Sequence, residues 1–178
     1  MVAKSIVKLI DEAIVPAVAL IAGKMLGVLL SIYFLNLSFT VVKSETLWIL
    51  PSIHFADLAG YAKVENYSNL TMFTVAAAGT ILVLVRAHFF HESHIHPRLH
   101  AKLASLNLES LIAPSYHLYH QAAIWLIFLW LSVGFLVIST LFGVTYGQIA
   151  IVAFVVAANF SWVFALDIEK EVEIAKQY

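Results

Sequence analysis

Long runs of apolar residues, broken by short polar clusters, set the architecture of this chain. Met25 to Val42 is 18 residues without a charge, and Ala13 to Gly23 extends that run backwards. Asn66 to Val85 adds 20 uncharged residues, and no Asp, Glu, Lys or Arg occurs from Ser110 to Leu166. The last stretch is far longer than the roughly 20 residues of one bilayer crossing. It divides at the segment bounded by Gly143 and Gly147, where glycine at both ends signals a tight turn. Period-two alternation is absent and the runs are long, so helices are expected rather than a barrel.

The predicted fold is an all-α integral membrane protein with four transmembrane helices in a bundle, over residues 13–42, 68–95, 115–142 and 148–170. The whole chain, 1–178, forms a single membrane domain. Ahead of the first span, Ile6, Leu9, Ile10, Ala13 and Ile14 share one helical face, opposite Lys4, Lys8, Asp11 and Glu12. This predicts an amphipathic N-terminal segment on the bilayer surface, with Pro16 at its bend into the membrane. The segment lacks a small-x-small cleavage site and continues into the apolar run, so it is read as retained. Pro97 suits the first turn of a further helix. Leu99, Leu103, Ala104 and Leu106 give it one apolar side, predicting a short interfacial helix over 97–108.

Composition agrees with this reading. The chain is 62% hydrophobic and 12% charged, about half the charged share of soluble domains. The apolar exterior implies a lipid bilayer as partner. Small-residue pairs such as Gly23/Gly27 and Ala153/Ala157 suit close helix packing within the chain, in a homo-oligomer or with membrane-complex partners. A net charge of −1 gives no reason to expect nucleic acid. Asn-x-Ser/Thr triplets at Asn36, Asn66 and Asn69 are too common by chance to imply glycosylation. Lys4, Lys8, Arg86, Arg98, Lys102, Lys170 and Lys176 fall on one predicted side, against Lys43 and Lys63 on the other. The positive-inside rule then puts both termini in the cytoplasm.

Seven of the eight histidines crowd between His88 and His120. They are His88, His91, His94, His96 and His100 after the second span, then His117 and His120 at the start of the third. Residues three apart on a helix are offset by about 60°, so His88/His91/His94 and His117/His120 form two ladders. Both ladders lie at the same predicted membrane level and are expected to face each other. His96 and His100 have the four-residue spacing of paired imidazole ligands, across the break at Pro97. The chain has no cysteine, so any metal must be held by nitrogen and oxygen. The seven histidines are thus candidate ligands for Zn, Fe, Mn or Ni at the cytoplasmic face, with a carboxylate from among Asp167, Glu169, Glu171 and Glu173 as a further ligand or orienting an imidazole. The acidic run from Asp167 to Glu173 otherwise reads as a solvated helix end.

Several functions suit such a face. One is a metalloenzyme acting at the membrane interface. Another is a non-catalytic subunit or scaffold of a membrane complex, with structural or pH-responsive histidines. A third is a b-type haem protein with bis-histidine ligation by His88 or His91 and His117 or His120. A carrier would need polar groups at mid-membrane. The midplane is poor in them, offering Ser132, Ser139, Asn159 and Ser161 but no mid-helix Asp, Glu or His, and Lys24 is expected to snorkel to the inner interface. In the loop before the second span, Trp48 and Tyr61 suit an aromatic belt. No phosphate-cradling loop or nucleophile elbow is present, and neither catalytic residues nor an enzyme activity is assigned.

Overall fold

A computed structural model of the chain describes residues 2–43, 51–90 and 95–176. Five α-helices dominate it: α1 (Val2–Leu35), α2 (Leu58–Phe89), α3 (Pro97–Ser105), α4 (Ser115–Leu141) and α5 (Gly147–Ala175). Two strands, β1 (Phe39–Lys43) and β2 (Pro51–Phe55), form an antiparallel ribbon between α1 and α2, with Thr40 opposite His54. Four segments are long and apolar enough to cross a bilayer: Ile10–Leu35, Leu58–Phe89, Ser115–Leu141 and Gly147–Glu173.

The element boundaries depart from the hydropathy pattern for local reasons. The helix expected over 13–42 ends at Leu35. Asn36 takes a left-handed conformation (φ 49°), which asparagine tolerates and which stops helices. The β-branched run Thr40, Val41 and Val42 then pairs as a strand. The second span starts at Leu58 rather than 68, because Asp57 caps it by accepting a hydrogen bond from the Gly60 amide at 2.6 Å. At the other end, α1 is assigned as one continuous helix from Val2, with Pro16 inside it. The hairpin between the last two spans turns at Gly143, whose φ is +70°.

α2 and α4 form the centre. α1 packs on α2 and α4, while α5 packs on α4 and α2. Leu20 of α1, Met72, Phe73 and Ala76 of α2, Leu129, Val133 and Leu136 of α4, and Ala150, Ala153 and Ala157 of α5 make one buried cluster. Small residues let the backbones approach. A Cβ on Gly27 would meet the Ser68 Cα at 2.5 Å, and one on Gly79 would meet the Trp125 ring at 2.0 Å. Trp130 Nε1 donates to Ser161 Oγ at 3.0 Å, tying α4 to α5. The outward sides of α1 and α5 are rich in exposed leucine, isoleucine, valine and phenylalanine, the surface that lipid covers.

The antiparallel order of these helices brings the start of α1, the end of α2, the start of α4 and the end of α5 to one face of the bundle. The ribbon and the α4–α5 turn lie at the opposite face.

Candidate functional site

At the first face, α4 is the hub. Its opening turns carry His117, Tyr119 and His120, and the 3.6-residue period points Tyr119 to a different flank from the two histidines. On one flank His120 Nδ1 binds a carboxylate oxygen of Glu12 from α1. His117 Nδ1 lies 3.9 Å from the other Glu12 oxygen, so the two imidazoles share one carboxylate. Tyr116 stacks on His120, with ring centroids 6.0 Å apart and planes 11° from parallel. Glu12 is well shielded, with its side chain 13% exposed.

On the other flank His88 of α2 binds Asp167 of α5 through Nδ1 at 2.8 Å. Tyr119 of α4 donates its hydroxyl to the second Asp167 oxygen at 3.2 Å. Asp167 therefore joins three helices, and Glu12 joins α1 to α4. Arg86 secures the connection from α2 to α4: its guanidinium donates to the carbonyls of Leu111 and Ser110 at 3.0 and 3.2 Å.

Of the histidines expected to form two facing ladders, the described members His88, His117 and His120 each have a carboxylate partner. His88 turns to α5 and His117 and His120 turn to α1, because a carboxylate on each outer helix offers imidazole a stronger partner than another imidazole does. His96 caps α3, its Nδ1 accepting from the Arg98 amide at 3.3 Å. His100 stands exposed on α3 beside a groove it shares with Ile95, Glu109 and Ile112. His91 and His94 lie outside the described residues. Among the described residues, no group of three or more His, Asp or Glu side chains is placed to hold a metal ion.

Glu12 and Tyr119 were not foreseen as site residues. Depth along the chain carries a signal for Glu12. It immediately precedes the apolar run from Ala13, as His120 closely precedes the run from Ala122, so α1 and α4, which run in the same direction as first and third spans, must set them near one level.

A second polar cluster lies within the membrane spans. Lys24, expected to snorkel, finds its side-chain partners on the adjoining helix. It donates to Glu65 Oε1 at 2.6 Å and to Asn69 Oδ1, both on α2. Asn69 Nδ2 donates in turn to Glu65 Oε1 at 3.1 Å and to Ser139 Oγ of α4 at 2.8 Å. Lys24 sits 14 residues into the Ile10–Leu35 span, about 21 Å along a helix. The ion pair explains why it stays there: a carboxylate on the adjoining helix removes the need to reach water. Glu65 escaped notice because α2 begins ten residues earlier than the apolar run implies.

No family model, curated protein or solved structure matches the chain.

Proposed function

We propose that this chain is a membrane-embedded helical scaffold whose four spans are fastened at one face by proton-responsive histidine–carboxylate latches. One observation carries the reading: His88 and His120 each bind, through Nδ1, a carboxylate from another span, and His117 faces the same Glu12. A protonated imidazole attracts a carboxylate more strongly than a neutral one does, so these contacts tighten as protons are taken up. Tightening draws α1 and α5 onto the central α2–α4 pair. Alkaline conditions leave hydrogen bonds without the charge attraction and loosen both outer helices. The excess of Lys and Arg on this side orients the latches, with both termini, to the cytoplasm. Limited proteolysis of vesicle-reconstituted protein tests the reading. Cleavage near the α1 and α5 ends should rise several-fold from about pH 5.5 to about pH 8, and a flat profile rejects it.

Transition-metal binding is the second reading. It is favoured by the use of Nδ1, since an imidazole held on a carboxylate this way presents Nε2 to a metal, and the carboxylate raises its basicity. His88 and His120 have that arrangement. Zn, Fe, Mn or Ni would suit the nitrogen and oxygen donors present, and haem would show itself by a Soret band. Metal analysis of protein purified without a histidine tag separates the readings. Stoichiometric metal lost in His88→Gln and His120→Gln supports a metal centre, whereas metal-free protein with intact pH response supports the latch alone.

A further inference from the structure

The Lys24–Glu65 pair closes one end of a cleft between α1, α2 and α4, of about 540 Å³. Its walls are apolar, including Leu20, Met25, Met72, Phe128, Leu131 and Phe135. The volume falls within the roughly 300–1,000 Å³ of small-molecule sites. The cleft lies along membrane-spanning segments, so its contents come from the hydrocarbon phase. The side chains of Lys24 and Glu65 are 31% and 28% exposed, and both line the cleft.

The hydrogen bonding defines what completes this end. An ammonium group has three donors, and Lys24 uses one on Glu65 and one on Asn69. Glu65 Oε1 accepts from both Lys24 and Asn69, while its second oxygen has no hydrogen bond among the described residues. The cleft therefore offers one N–H donor and one carboxylate acceptor. An unmatched polar group in hydrocarbon costs several kcal/mol, so lipid tails alone are a poor filling for this end. The pair is already electrically neutral. A charged headgroup would bring an uncompensated charge into the membrane.

We infer that this cleft binds an uncharged amphiphile from the bilayer, with its chain along Leu20, Phe128, Leu131 and Phe135 and a hydroxyl head between Lys24 and Glu65. A hydroxyl both accepts and donates, so one head group satisfies both free positions. Long-chain alcohols, prenols and monoacylglycerols belong to this class.

Photolabelling of the full chain in phosphatidylcholine vesicles tests the site, with hexadecanol carrying a mid-chain diazirine as probe. Label should concentrate on α1 and α4 peptides containing Leu20 and Phe128–Phe135. Unlabelled hexadecanol should reduce it several-fold, while hexadecane and hexadecyl phosphate should not. Leu131→Trp fills the cleft from a half-exposed wall position and should reduce labelling several-fold at unchanged helix content. Removing both charges together, in Lys24→Met/Glu65→Met, should abolish the preference for hexadecanol over hexadecane. Equal competition by hexadecane overturns the proposal, as does stronger competition by the phosphate. Label spread evenly onto α5, or unaffected by Leu131→Trp, overturns it as well.

Discussion

Glu12 of α1 and His120 of α4 stand 108 residues apart in sequence and bind each other directly at one face of the bundle. The contact fastens the first span to the third. Replacing either member removes this contact at a shielded carboxylate. Glu12→Gln or His120→Gln should each destabilise the bundle by about 1–3 kcal/mol. The double variant should cost less than the sum of the singles. Thermal unfolding in detergent, analysed as a double-mutant cycle, measures this, and simple additivity would mean that the contact contributes nothing.

Among the described residues, Asp167 hydrogen-bonds to two side chains and His88 to one. Asp167→Asn weakens contacts to both His88 and Tyr119, whereas His88→Gln removes a half-exposed side chain from only the first. Asp167→Asn should therefore lower the melting temperature more than His88→Gln does. Hydrogen exchange should also rise in the α5 segment around Asp167. Equal effects would show that the Tyr119 bond is energetically silent.

The intramembrane pair should behave as a unit. Lys24→Met leaves Glu65 charged without its counter-ion, and Glu65→Met does the converse. Each single change should destabilise by about 3–5 kcal/mol, while the double change is far milder. Folding yield in detergent, with thermal unfolding of whatever folds, distinguishes this from independent contributions.

Gly79 is constrained by Trp125, whose ring occupies the space a Cβ would take, at 2.0 Å. Gly79→Ala should destabilise by about 1–3 kcal/mol through forced separation of α2 and α4. Trp125→Leu in the same chain should recover part of the loss. Melting temperatures of the parent chain and of these two variants provide the check.

The spans were legible in the sequence because twenty-residue charge-free runs have few alternatives. Their ends were less so, since capping by Asp57 and the left-handed turn at Asn36 act through single residues that hydropathy averages away. The same averaging hid Glu65 within α2. The histidines stood out by type, yet their partners depended on which helix lies beside which. Spacing alone relates residues of one helix, and so it suggested histidine ladders. The pairing of His88 with Asp167 and of His120 with Glu12 is set by tertiary packing across two interfaces, α2 with α5 and α1 with α4. Asp167 was visible only as one of four C-terminal carboxylates able to orient an imidazole, whereas Glu12 looked like part of a surface-helix polar face.

The latch is tested most directly by the separation of α1 from α4 as pH changes. The chain contains no cysteine, so Ile14→Cys and Ile127→Cys, both at exposed positions, supply its only two thiols for spin labels. In vesicles at about pH 5.5 the distance distribution should be narrow. At about pH 8 the distribution should broaden toward longer distances. His120→Gln should give the broad distribution at both pH values. Identical narrow distributions at both pH values, with and without His120, would contradict the latch.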